Sequence, residues 1–172
     1  MIITFKPFQE EDILLLQKWL QEPHVKEFWQ EPENEQELRE KYVNKLKNRG
    51  VASFIIELDQ EPIGYIQYYE ACRIGGGWWP EAQPGTFGID QFIGVPKKVG
   101  KGLGPKIIFT FIDMVCKKEV VREIIADPDS KNIRAIKAYL KIGFTNEGLI
   151  STPNGDACLM RFIPNQLKKL PD

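Results

Sequence analysis

Gly100-Lys101-Gly102-Leu103-Gly104-Pro105-Lys106 constrains this chain more than any other stretch. It lies between a strand-like apolar run, Gly88 to Ile93, and a helical apolar run, Ile107 to Val115. Three glycines in five residues let successive backbone N–H groups turn towards one point, because no Cβ stands in the way. The first N–H groups of the helix that follows have no intrahelical acceptor, and the helix dipole adds partial positive charge beside them. Strand, glycine corner and helix start, in that order, make an anion site suited to a diphosphate. The expected backbone donors run from Val99 through Gly100, Lys101, Gly102, Leu103 and Gly104 to Lys106, and Lys101 and Lys106 add cationic side chains.

The rest of the composition narrows what such a site can serve. At 172 residues the chain is expected to form one domain with its own core. A net charge of −1 argues against a nucleic-acid or membrane-surface partner, since either needs a basic face. No apolar run reaches the roughly 18 residues of a membrane helix, and the first residues lack the pattern of a secretory signal. Cys72, Cys116 and Cys158 are an odd set without a CxxC spacing, which reads as reduced thiols in the cytoplasm. With one histidine, no metal site is expected.

Taken in order, Ile2 to Phe8 alternates as a strand. Ile13, Leu14, Leu16, Trp19 and Leu20 mark a helix through Gln21 that Pro23 ends. His24 to Trp29 reads as a loop or short turn with two adjacent aromatics, Phe28 and Trp29. A second helix is expected over about Glu35 to Asn48, stopped by Gly50. Seven acidic side chains against two basic ones between residues 22 and 40 leave about −5, either a solvated helix face or a lure for a polycation. Val51 to Leu58 and Ile63 to Glu70 read as a hairpin around Asp59-Gln60-Glu61-Pro62. Residues 71–87 form a glycine-rich loop, and its paired Trp78 and Trp79 point to a ligand wall.

Gly88 to Ile93 is the expected central strand, joined through the glycine corner and its helix to a parallel strand, Val121 to Ala126. Ile133 to Lys141 is a helix capped by Ser130 or Asn132. Phe144 to Ile150 and Cys158 to Ile163 close the chain as a hairpin around Thr152-Pro153-Asn154-Gly155, with Asn-Gly as the turn signal. The order β-α-α-β-β-β-α-β-α-β-β predicts an α/β fold, a mixed sheet with helices on both faces. It forms one domain over residues 1–172 whose polar end, 165–172, frays.

This arrangement resembles the GCN5-related N-acetyltransferase superfamily over nearly the whole chain. Glu61-Pro62-Ile63-Gly64-Tyr65, Gly77-Trp78-Trp79, Gly88-Ile89-Asp90-Gln91-Phe92, the glycine corner, and Asp127-Pro128 with Asn132-x-Arg134-Ala135-Ile136-x-x-Tyr139-x-x-x-Gly143-Phe144 are similar to the aminoglycoside 6′-N-acetyltransferases. One feature departs from the superfamily's Gln/Arg-x-x-Gly-x-Gly/Ala pattern: its first position falls on Val99 or Lys97. The backbone donors do not depend on that side chain.

The resemblance implies an acetyl-CoA-dependent N-acetyltransferase with no metal, acting on a primary amine of an aminoglycoside-like polycation, the 6′-amine of an antibiotic. It implies that pantetheine runs along the strand ending at Ile93 while the strand from Glu123 splays away. An N–H near Phe92 or Ile93 then polarises the thioester carbonyl. Asp90 is either the base that takes the ammonium proton or the anchor that orients it. Asp127 is a second ammonium anchor or the cap of the Pro128 turn, Tyr139 faces the coenzyme A sulfur and protonates the leaving thiolate, and Asn132 touches pantetheine or the acid/base network. Trp78, Trp79, Phe28 and Trp29 wall the sugar. His24 is a surface residue and Asn154 a turn residue. Two other readings stay open: a transferase for a hydroxylysine-type siderophore intermediate, a polyamine or a protein amine, and a coenzyme A-binding protein without turnover. A monomer or a homodimer fits equally.

Overall fold

The computed structural model describes residues 1–48, 50–73 and 82–164. In chain order it contains β1 (Ile3–Pro7), α1 (Ile13–Leu20), α2 (Pro23–Lys26), α3 (Glu35–Lys47), β2 (Val51–Leu58), β3 (Glu61–Glu70), β4 (Thr86–Ile93), α4 (Leu103–Lys118), β5 (Glu123–Ala126), α5 (Ile133–Lys141), β6 (Thr145–Thr152) and β7 (Gly155–Phe162). Glu10–Asp12 and Pro96–Lys98 add single 3-10 turns. The strands make one mixed sheet in the order β1-β2-β3-β4-β5-β7-β6. The chain divides into two compact units, one of Met1–Gln67 with Gln91–Lys101 and one of Tyr68–Asp90 with the residues from Gly102 onwards.

In the first unit, α1 buries Ile13, Leu16, Trp19 and Leu20 and leaves Leu14 exposed, the stripe of a one-sided helix. α3 starts at Asn34, whose side-chain oxygen accepts from the N–H groups of Gln36 and Glu37 at 2.9 and 3.1 Å. That cap satisfies two of the orphan donors of a helix start. α3 buries only Leu38 and Tyr42, four residues apart on one face. Tyr42 joins an aromatic cluster in which Tyr65 lies 5.9 Å from Tyr42, 5.4 Å from Phe8 and 5.9 Å from Phe92. α3 ends at Asn48, whose side chain accepts from the Gly50 N–H at 2.9 Å.

In the second unit, α4 buries Leu103, Ile107, Ile108, Phe111, Ile112 and Val115. β4 and β5 are parallel, with Thr86 opposite Glu123, Phe87 opposite Ile124 and Gly88 opposite Ile125. Glu123 accepts from the Thr86 hydroxyl at 2.7 Å and from the Arg161 guanidinium on β7. Burial works against its charge, but Thr86, Arg161 and Arg122 outweigh that and hold its carboxyl below the usual value of 4.5. A depressed carboxylate contributes stability above its unfolded value, and the contribution disappears as pH falls through the folded one. Glu123→Gln should therefore lower the melting temperature most near neutrality, with the difference from wild type shrinking below about pH 4. Melts by circular dichroism across that range check it.

Several boundaries differ from the sequence expectation. His24 belongs to a one-turn helix, α2, because Pro23 at its first position has its φ preset for a helix. The β2–β3 turn is the two residues Asp59 and Gln60, both at positive φ (51° and 70°), so Glu61 and Pro62 already belong to β3. β4 begins two residues earlier than expected, at Thr86, and β5 later, at Glu123. The last hairpin turns on Pro153-Asn154, since Thr152 pairs with Gly155.

Candidate active site

β4 supplies the first half of the site. Its ladder with β5 covers Thr86 to Gly88, and β4 runs on to Ile93 past the end of β5 at Ala126. The β4–β5 ladder therefore ends at Gly88, five residues before the end of β4. Asp90 and Asp127 are both half-buried, Asp90 within β4 and Asp127 directly after β5. Strand alternation puts Asp90 on the same side of β4 as Phe92. Beyond Ile93, the Gly94 and Val95 N–H groups donate to the Ile63 carbonyl at 2.8 and 3.2 Å. They are not available to a thioester, which leaves the expectation on Phe92 and Ile93.

The glycine corner follows. Gly100 and Gly102 sit at φ +74° and +72°, a region that L side chains avoid, and a Cβ on either would meet nothing within 4 Å. These glycines are required by backbone conformation, and the space above them is open. Gly102 stands at the N-cap of α4 with no side chain to cap it. The N–H groups of Gly100, Lys101, Gly102, Leu103 and Gly104 meet no acceptor among the described residues. Val99 departs from the expectation. Its N–H donates to the Pro96 carbonyl at 3.1 Å, closing a 3-10 turn, so it cannot also hold an anion. The exposed Lys101 and Lys106 flank the corner, and the donor set and charge fit the diphosphate of coenzyme A.

α5 begins at Asn132, whose side-chain oxygen accepts from the Ala135 N–H at 3.1 Å. The cap occupies one lone pair of that oxygen, and the amide NH2 is the donor that Asn132 can offer a ligand. Tyr139 is 4% exposed and packs edge-on against Phe144, 4.9 Å between ring centroids. Packing against Phe144 limits how far that ring can move.

Back in the first unit, Trp29 is half-buried and lies 4.9 Å from Phe92 and 6.0 Å from Tyr65, edge-on to both. Phe28 beside it is half-buried too. Trp78 and Trp79 lie outside the described residues. His24 is not the surface residue expected: it is half-buried, and its Nε2 lies 2.8 Å from the Ile93 carbonyl oxygen, tying α2 to the end of β4. Nor is the acidic arm a bare lure. Glu31 pairs with Lys41 at 2.5 Å, Glu33 with Lys26 at 3.6 Å, and Arg39 with Glu10 at 2.5 Å. Extending the window through α3 to residue 47 brings in Lys41, Lys45 and Lys47. Seven acidic side chains then face five basic ones, about −2. Asn154 is a turn residue, as expected. Among the described residues no group of His, Cys, Asp and Glu could hold a metal ion, and no helix is long and apolar enough to cross a membrane.

A short parallel pair leading into a glycine corner at a helix start is the arrangement expected of a coenzyme A-dependent acyltransferase. The acetyltransferase (GNAT) domain family matches residues 9–152. An aminoglycoside N(6′)-acetyltransferase type 1 of Klebsiella pneumoniae is 37% identical over 163 residues, 92% of this chain and 81% of that one. The fold is also that of the aminoglycoside acetyltransferase AAC(6′)-Ib. A crystal structure with coenzyme A and kanamycin superposes with a TM-score of 0.88 at 36% identity, over 95% of this chain and 96% of that one. A structure with ribostamycin and coenzyme A gives 0.91 at 33% identity, over 100% and 99%. The chain belongs to the acetyltransferase (GNAT) domain family.

Proposed function

We propose that this protein transfers the acetyl group of acetyl-CoA to the 6′-amine of an aminoglycoside. The observation that carries the donor half is the run of five backbone N–H groups, Gly100 to Gly104, that meet no acceptor among the described residues at the start of α4. The acceptor half rests on relatives similar over almost the whole chain and named for that activity. When bound, acetyl-CoA supplies an acetyl group activated as a thioester. The glycine corner and the α4 dipole hold its diphosphate. Asp90 binds the acceptor ammonium and receives the proton that its nitrogen must lose before it can bond to the acyl carbon. As the C–N bond forms and the C–S bond breaks, Tyr139 hands a proton to the departing sulfur and regains one from the second proton that the new amide nitrogen loses. Asp127 anchors a second ammonium, and Phe28 and Trp29 face the sugar.

Thiol release with kanamycin and ribostamycin as acceptors tests this reading, followed by mapping of the acetyl group by NMR. Acetylation at the 6′-nitrogen is expected. Turnover of spermidine or of a lysine peptide, with none of either antibiotic, would move the acceptor to another amine. The donor half has its own check. Gly102→Ala must place an L residue at φ +72°, at a cost of about 1–2 kcal/mol. Where the corner relaxes to relieve that strain, its donors turn away from the anion, so acetyl-CoA should bind at least ~10-fold more weakly by calorimetry.

A further inference from the structure

Glu31 is a carboxylate with little access to water, its side chain 8% exposed. One of its oxygens, Oε1, accepts from the Trp29 indole N–H at 2.8 Å and from the Tyr42 hydroxyl at 2.7 Å. The other, Oε2, takes the Lys41 ammonium at 2.5 Å. Hydrogen bonds to an ionised acceptor are short and roughly twice as strong as neutral ones. The three donors come from the loop before α3 and from α3 itself, so one buried charge ties the loop to the helix. Burial, and then the Glu31 charge, push the Tyr42 hydroxyl well above its ordinary value, so it remains a donor at every working pH. Trp29 and Glu31 line a cleft of about 260 Å³ together with Leu20, Lys26, Glu33 and Leu38. That is below the roughly 300–1,000 Å³ of a site for a drug-sized molecule, and suits one ring of an amino sugar.

We propose that Glu31 is a positioning residue for acceptor recognition: by holding the Trp29 N–H and the Tyr42 hydroxyl on one oxygen, it sets the indole plane against which a sugar ring rests. The inference depends on the reading above that Trp29 faces the acceptor. Glu31 touches no reacting atom in this scheme, and its effect passes through Trp29. Glutamine cannot replace it. One end of the group meets Lys41 and the other meets two donors, so whichever way the amide turns its NH2 faces a donor.

Steady-state kinetics of wild type, Glu31→Gln, Trp29→Ala and the double variant test this, with kanamycin and acetyl-CoA varied in turn. Trp29→Ala should raise the kanamycin KM about 10-fold and leave the acetyl-CoA KM within about twofold. Glu31→Gln should do the same to a smaller extent, and should add nothing in the Trp29→Ala background, because residues acting through one contact are not additive. Glu31→Asp, which keeps the charge but shortens the reach, should show the same kanamycin-only defect and serves if Glu31→Gln does not fold. If Trp29→Ala raises the kanamycin KM but Glu31→Gln and Glu31→Asp only lower the melting temperature, Glu31 is structural and the inference fails with the proposed function intact. A Trp29→Ala variant with unchanged kanamycin KM also overturns it, since Glu31 then has nothing to position. Absence of turnover of both kanamycin and ribostamycin in the wild type overturns the proposed function itself.

Discussion

Asp90→Ala is expected to lower kcat by roughly 10²–10⁴-fold, the usual contribution of a positioned proton acceptor, with acetyl-CoA affinity unchanged. Asp90 is half-buried in β4, past the last residue that β4 pairs with β5. Its side chain leaves the strand on the side of Phe92 and away from Ile89, which is 1% exposed. An amine that attacks a thioester must first lose a proton, and most aliphatic amines are protonated at neutral pH. The proposed function asks a carboxylate here to serve both as the attraction for the ammonium and as the route for that proton. Asp90→Asn keeps the shape and loses the charge, so it should resemble alanine in kcat. Single-turnover acetylation of kanamycin, with acetyl-CoA binding followed by calorimetry, reads the two effects apart. A kcat within about threefold of wild type would remove Asp90 from the chemistry.

The second large effect concerns the support of that strand. A Cβ on Gly64 would stand 2.2 Å from the Phe92 carbonyl oxygen and 3.0 Å from the Ile93 Cα. Both are backbone atoms, so no side chain can swing away to make room. Gly64→Ala must push the end of β4 off β3, at a cost of about 3 kcal/mol, the upper part of the range for overpacked interiors. For a chain of this length that lowers the melting temperature by roughly 6–12 °C. Ile93 also carries the carbonyl that faces His24, and Phe92 the ring that meets Trp29, so activity should fall further than stability alone accounts for. A melting temperature within about 2 °C of wild type would show that the strands can part at no cost.

Much of this could be read from the residues alone. The glycine corner announced itself, because positive φ at Gly100 and Gly102 is a local demand that only glycine meets cheaply. The parallel β4–β5 pair followed from a strand, a helix and a strand in sequence, and the Asn132 cap from its place before Ile133. Other features were hidden for identifiable reasons. Val99 looked like a donor, because nothing in its own identity shows that Pro96 begins a 3-10 turn that uses its N–H. His24 looked exposed, because its partner is a carbonyl 69 residues away. Glu31 looked like one charge among seven, and Tyr42 like one apolar position in a helix. Their hydrogen bond joins residues 11 apart across the start of α3, a distance that no periodicity encodes.

Legible from the residues alone were the strained turns, the helix starts, the apolar faces and the glycine corner before α4. Each of these is a property of neighbours within a few positions, decided by sterics, by orphan N–H groups and by side-chain period. Which polar groups find partners is settled by long-range packing: the Gly94 and Val95 N–H groups are taken by Ile63, Lys41 neutralises Glu31, and one buried carboxylate holds Trp29 and Tyr42 together. A hydrogen bond needs atoms within about 3 Å of each other, and whether residues far apart in the chain come that close depends on how the whole chain packs.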